Sequence, residues 1–271
     1  MALRQKWGSV VCPGCRTLVG VNDERCLNCG RWNPGLWGFG PALSRFGRDM
    51  GFTPFVLTTC MVMYFFSLVA DAQGIRSMGT EFLMPSQYSL ILFGAAGTVP
   101  VFVLHHWWTI LTASWLHGSF LHILFNLMWL RQLAPETAEV YGPSRMVIIY
   151  TASGAFGFLL STMMGTGLTV GASASIFGLL AALVYYGRRG GSSAMGNQAM
   201  TYAVMLFVFG LIASRVDNWA HLGGFAGGYL TSAFLDPMKP ERIDHLIVAL
   251  ICVTVTIAAI ILTFITTRPY V

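Results

Sequence analysis

Charge is what this sequence has least of. Only 10% of its 271 residues are Asp, Glu, Lys or Arg, and 55% are hydrophobic, whereas soluble domains carry roughly a quarter charged residues. An ordinary soluble domain is thereby excluded. Acidic residues are the scarcer sign, 11 against 16 basic, and seven basic and two acidic residues lie before Asp49. Near the N-terminus there is no short apolar run followed by a small-residue cleavage site, so no signal peptide is expected. The chain divides into a small polar head and a long apolar body.

The body holds apolar windows close to the ~20 residues needed to cross a ~30 Å hydrocarbon layer. The clearest are 51–71 and 243–266, with others near 113–133, 144–164, 171–187, 198–213 and 218–235. Seven spanning helices are expected, because open backbone is not tolerated in lipid. Many carry glycine, serine, histidine or asparagine, which suits helices packed on one another. With the N-terminus inside, Arg45, Arg48, Arg131, Arg145, Arg188, Arg189, Lys239 and Arg242 fall on the cytoplasmic side, and Arg76, Arg215 and Arg268 outside. The net charge of +5 thus reads as topology and attraction to anionic lipid. No nucleic-acid partner is expected. Residues 72–112 form a loop too long and too apolar for a solvated tether, expected to fold on itself and dip into the outer leaflet; Gly94, Gly97 and Pro100 argue against an eighth span.

The head carries Cys12-Pro-Gly-Cys15 and Cys26-Leu-Asn-Cys29. Two such knuckles can set four thiolates tetrahedrally around one zinc ion. A redox CxxC needs a βαβ context that so short a piece lacks, and disulfides are disfavoured in a cytoplasmic location. Four ligands close the site, so the zinc is expected to be structural, holding together a piece too small to bury its own core. Residues 1–36 are read as this module and 37–50 as a linker along the inner interface, with Trp37 and Phe39 among the headgroups. Cys60 and Cys252 read as packing residues.

Polar groups at membrane depth mark chemistry. Ser173 lies where the glycine loop Gly171-Ala172-Ser173-Ala174-Ser175 turns into a helix, close to unpaired N–H groups that could stabilise an oxyanion. From that segment alone, simple helix capping by Ser173 or Ser175 is the better reading. His221 shifts the balance, because Gly224 and Gly228 beneath it make a smooth face on which another helix can approach, bringing an imidazole to the hydroxyl as general base. No carboxylate is expected near these groups, which favours a dyad over a triad. His122 and Asn126, four apart on one face, could donate to an oxyanion or simply glue helices together. His117 is expected to order the long loop.

The segments His117-Gly118-Ser119-Phe120-Leu121-His122 through Asn126, Gly171-Ala172-Ser173 with Ile176-Phe177-Gly178, and Ala220-His221 with Gly224 and Gly228 together resemble the rhomboid family of intramembrane serine proteases. The resemblance covers about residues 51–236. It implies a six-helix core with Ser173 as nucleophile, His221 as base, His122 and Asn126 at the oxyanion hole and Phe177 stacked on the catalytic histidine, followed by an additional seventh helix within 237–271. It also implies single-span membrane proteins as substrates, cut near their outer end. Two departures stand out: Ala174 where the family has glycine, and Trp108-Thr109 where it has Trp-Arg. A catalytically silent, derlin-type binder of membrane helices and a transporter with broken helices are the rival readings. The expected location is a bacterial inner (plasma) membrane, N-terminus cytoplasmic and C-terminus outside, with an unknown cytoplasmic partner for the zinc module.

Overall fold

A computed structural model describes residues 4–15, 17–44, 49–77, 79, 82–213 and 215–267. Arg45, Arg48 and Arg268, three charges used in the orientation argument, lie outside them. The head is an antiparallel pair, β1 (Ser9–Val11) and β2 (Leu18–Gly20), with Val10 opposite Val19. Val10, Val19 and Val21 with Cys12 and Cys26 make its small core. The backbone N–H of Gln5 donates to the Gly38 carbonyl at 2.8 Å, so the first turn after residue 36 is knitted to the head. Trp37 and Phe39 are both exposed.

Among the described residues the body folds into seven long helices: α1 (Phe52–Val69), α2 (Phe120–Tyr141), α3 (Pro143–Met163), α4 (Ser173–Arg189), α5 (Ser193–Ile212), α6 (Asn218–Phe234) and α7 (Ile243–Thr266). Among the described residues, α1, α3, α5 and α7 are each long and apolar enough to cross a membrane alone. A fifth span is made by α2 together with Thr109–Trp115, which meets it at a bend of 91°. The remaining two, α4 and α6, have 17 residues each and lie at the centre of the bundle, α6 packed between α3 and α4. Eleven of the α4 residues are buried, so protein rather than lipid surrounds it.

The second long helix starts at Phe120, not near 113 as its hydropathy suggests. Ser119 caps it, its hydroxyl accepting the His122 N–H at 3.3 Å, and the polar turn at Gly118-Ser119 breaks the apolar run. At its other end the helix continues through Pro135 to Tyr141. The 72–112 loop does fold on itself, through short helices at Gln87–Phe93 and Thr109–Thr112 and a helical turn at Val99–Val103. It leaves Phe102, Val103 and Trp107 exposed. The long helices alternate in direction, so the head end of the bundle carries the α2–α3 and α6–α7 turns and the far end carries Ser119, Ser173 and Asn218. The 22 residues of α2 span about 33 Å, one hydrocarbon thickness.

Glycine sets the central spacing. A methyl on Gly224 would fall 2.1 Å from the Ala174 carbonyl oxygen, and one on Gly228 2.4 Å from the Gly178 Cα. The α6 stripe read from the sequence therefore faces α4, and the two backbones nearly touch.

Candidate active site

Ser173 is the first residue of α4, and neither it nor Ser175 caps the helix. The cap position belongs to Ala172, which has no capping side chain, and Ser175 is turned toward Gly154 of α3, where a methyl would meet its Oγ at 2.5 Å. The first-turn N–H groups of α4 thus keep the orphan character of any helix start. Across the glycine contact, His221 Nε2 lies 2.9 Å from Ser173 Oγ. Phe177, one turn below Ser173, stacks on the imidazole with ring centres 4.2 Å apart and planes at 14°.

The other imidazole nitrogen decides the tautomer. Nδ1 of His221 lies 3.1 Å from Asn218 Oδ1, an amide oxygen that can only accept, so the proton sits on Nδ1 and the lone pair of Nε2 points at the serine hydroxyl. Asn218 is in turn held by its Nδ2, which donates to the Phe207 carbonyl of α5 at 3.4 Å. A carboxylate is also present where none was expected. Asp217 caps α6 immediately before Asn218, but its oxygens accept the Ala220 N–H at 3.0 Å and the Ser161 hydroxyl, not the imidazole. The array is therefore Ser–His–Asn, with Asp217 holding the helix start.

His122 comes from α2. Its Nδ1 accepts the Gly118 N–H at 3.3 Å, which leaves the proton on Nε2. A methyl on Gly171 would lie 2.7 Å from that Nε2 and 3.7 Å from Ser173 Oγ. The space left by the missing Cβ is thus bounded by a donor and the hydroxyl, and Gly171 has a φ of +132°, closed to residues with side chains. Asn126 is buried nearby, but its Nδ2 donates to the His122 carbonyl at 2.8 Å and its Oδ1 has no partner among the described residues. His117 is fully buried and makes no side-chain hydrogen bond to the loop among the described residues; its ring lies edge-on to His122, 5.3 Å between centres.

At the opposite end, the Sγ atoms of Cys12, Cys15, Cys26 and Cys29 all lie within 4.8 Å of one another, with Cys12–Cys29 at 3.7 Å and Cys15–Cys26 at 3.5 Å. Tetrahedral thiolates at the usual 2.3 Å from zinc would be separated by about 3.8 Å, so the four cysteines fit a metal-binding site. Burial pushes the Cys12 and Cys29 thiols up, Cys29 to about 12. The Cys29 N–H and the Thr17 hydroxyl pull Cys26 down, and against the effect of burial the Thr17 hydroxyl and N–H draw Cys15 to about 6. Beside the cluster lies Arg31, its Nε and Nη2 buried without a hydrogen-bond partner among the described residues. A methyl on Gly14 would touch both its Cδ and the Cys29 Sγ, at 3.3 and 3.4 Å. Arg31 Nη1 pairs with Glu241 at 2.9 Å, so the cation beside the cysteines is neutralised by a carboxylate.

Residues 104–238 match the Rhomboid domain. The chain is 32% identical over 146 residues to the "Putative rhomboid protease YdcA" of Bacillus subtilis (strain 168), covering 50% of this chain and 70% of that protein. It is 31% identical over 150 residues to the "Rhomboid protease GluP" of the same organism, 54% of this chain and 29% of that one. With "RHOMBOID-like protein 1" of Arabidopsis thaliana the identity is 33% over 171 residues, 59% and 42% of the two chains. This chain belongs to the rhomboid family. It spans less than half the length of those last two relatives.

As a rhomboid it is a multi-pass integral membrane protein, and its two departures from the family pattern have local explanations. The Ala174 methyl is accommodated by Gly157 of α3, where a second methyl would come within 2.6 Å of it. Thr109, in the place of arginine, spends its hydroxyl on the His106 carbonyl at 2.7 Å. Asn218 and Asp217 escaped the sequence reading, although Asn218 lies three residues before His221 at a helix start, hence on the same face.

Proposed function

We propose that this rhomboid is an active intramembrane serine endopeptidase that cuts single-span membrane proteins near the outer end of their transmembrane segment. The observation that carries this reading is the 2.9 Å contact between Ser173 Oγ and the unprotonated Nε2 of a histidine whose Nδ1 is held by Asn218. His221 takes the hydroxyl proton as Oγ bonds to the scissile carbonyl carbon. The oxyanion receives His122 Nε2–H and an N–H from the first turn of α4, with Asn126 joining after its amide turns from the His122 carbonyl. His221 then gives the proton to the leaving amine, and water, deprotonated by the same imidazole, releases the acyl group from Ser173. Phe177 holds the ring in plane, and Gly171, Gly224 and Gly228 keep the approach close.

In this reading residues 51–236 are the protease core and 237–271 the additional helix. Residues 1–36 form a cytoplasmic module whose four cysteines hold a structural zinc, 37–50 run along the inner interface, and the site opens toward the outside of a bacterial inner membrane. No cofactor enters the chemistry. The exposed apolar side chains of Trp7 and Leu27 on the head suit an unknown cytoplasmic partner. The test is reconstitution in liposomes with a tagged single-span substrate: wild type should release two fragments cut near the outer boundary, and Ser173→Ala none. Intact substrate retained on folded wild type would instead support the derlin-type binder.

A further inference from the structure

The seventh helix follows the core in sequence, yet its seam reaches the loop that supports the site. Of its 24 residues, only Ala249, Thr256, Ala259 and Thr263 are buried, all small, on one face directed at α3 and the 87–112 loop. Thr256 uses its hydroxyl within the helix, on the Cys252 carbonyl. Thr263 is fully buried, donates to the Ala259 carbonyl at 3.0 Å, and accepts from outside the helix: Trp108 Nε1 donates to its Oγ1 at 3.0 Å. An indole N–H in a water-poor setting needs such an acceptor. Phe93 and Phe264 meet edge to face beside it, 5.1 Å apart.

From Trp108 the connection to the site is short. Trp108 precedes the helical turn Thr109–Thr112, and the carbonyl of the next residue, Ala113, accepts the Gly171 N–H at 2.9 Å. The same loop pairs with the segment leading to Ser173 through four more hydrogen bonds: Ala96 and Thr169 exchange bonds of 3.1 and 2.8 Å, Thr98 N–H reaches the Thr166 carbonyl at 2.8 Å and Val99 N–H the Gly167 carbonyl at 3.3 Å. Gly171 borders the space between His122 and Ser173.

We propose that α7 is a working part of the catalytic unit, with Thr263 and Trp108 as positioning residues that hold the loop and, through it, Gly171 at the oxyanion space. The effect on rate rests on the protease reading; the anchor itself does not. Thr263→Val removes the hydroxyl at nearly constant shape, Trp108→Phe removes the N–H but keeps an aromatic ring, and Thr263→Ser retains the acceptor. Hydrogen exchange in detergent should show faster exchange at Ala96, Thr98 and Gly171 in Thr263→Val and Trp108→Phe, with Tm lowered by only a few degrees, the scale of one buried hydrogen bond. Fluorophosphonate labelling of Ser173 should slow about three- to tenfold, the scale of one net hydrogen bond. Thr263→Ser should restore both, and the double variant should be no worse than either single one. Unchanged exchange in Thr263→Val, exchange that rises without slower labelling, or a Thr263→Ser as impaired as the valine variant would each overturn the proposal. A wild type that no probe labels, with exchange still responding to Thr263→Val, would sink the protease reading and leave the anchor standing.

Discussion

The two ends of the bundle solve the placement of buried polar groups in opposite ways. At the head end the joint is ionic: Glu241 accepts from Arg31 Nη1 at 2.9 Å and from the Ser144 and Arg145 N–H groups at 2.7 and 3.2 Å, with both Arg31 and Glu241 side chains 1% exposed. One carboxylate thus caps α3, clamps the head and lies ahead of α7. At the far end, Ser173, His221, Asn218 and His122 form neutral hydrogen bonds, each with a defined donor and acceptor. A buried ion pair holds a joint because removing either partner strands a charge. A neutral chain with an assigned tautomer lets a proton move. Charge fixes position at one end, and proton direction makes chemistry available at the other.

The largest effect that could break this contrast is at the base. His221→Ala should abolish cleavage of a reconstituted substrate, a loss of about 10⁴-fold or more, while leaving the protein monodisperse; substantial residual turnover would mean that the proton goes elsewhere. Next comes the oxyanion space. His122→Ala should cost on the order of 10²- to 10³-fold and Asn126→Ala distinctly less, because Asn126 already spends its amide on the His122 carbonyl. Equal losses, measured as kcat/KM in liposomes, would contradict the assignment of His122 Nε2–H as the prepared donor.

Asn218→Ala should cost less again. Without Oδ1 nothing specifies the Nδ1–H tautomer, and about tenfold in rate should go with that hydrogen bond; Asn218→Asp, which retains the acceptor, should keep more of the activity. The smallest effect on the site is expected from the head. Glu241→Ala leaves Arg31 buried and unpaired, at a cost of about 3–5 kcal/mol, so the head should become sensitive to trypsin, as it should when Cys29→Ser abolishes the roughly one zinc per chain that is to co-purify. Ser173 labelling should stay within about twofold of wild type in both, since about one membrane thickness separates the two ends; labelling lost in either variant would make the head part of the catalytic unit.

How legible each end was follows from how far apart its parts lie in sequence. The cysteine cluster is two short spacings within 18 residues, and its geometry is nearly implied by them. Ser173 and His221 stand 48 residues apart, yet each sits in a locally distinctive segment, a glycine loop and a glycine stripe, so their meeting could be argued from packing. Glu241 carried no such mark. Its partners Arg31 and Ser144 lie 210 and 97 residues away, and nothing periodic announces that a loop carboxylate will cap a distant helix. Trp108 and Thr263, 155 residues apart, were unreadable for the same reason: hydropathy marks α7 as a span but not which face meets which loop. The start of α2 was misplaced because hydropathy continues through Leu116 while the backbone turns at Gly118-Ser119.

In the proposed mechanism Ser173 carries a hydroxyl made nucleophilic by His221, and covalent capture probes that role without a substrate. Purified wild-type protein in detergent, treated with a fluorophosphonate probe and digested for mass spectrometry, should carry one adduct, on Ser173, with Ser173→Ala and His221→Ala unlabelled. An adduct on Ser175, or none on folded wild-type protein, would contradict it.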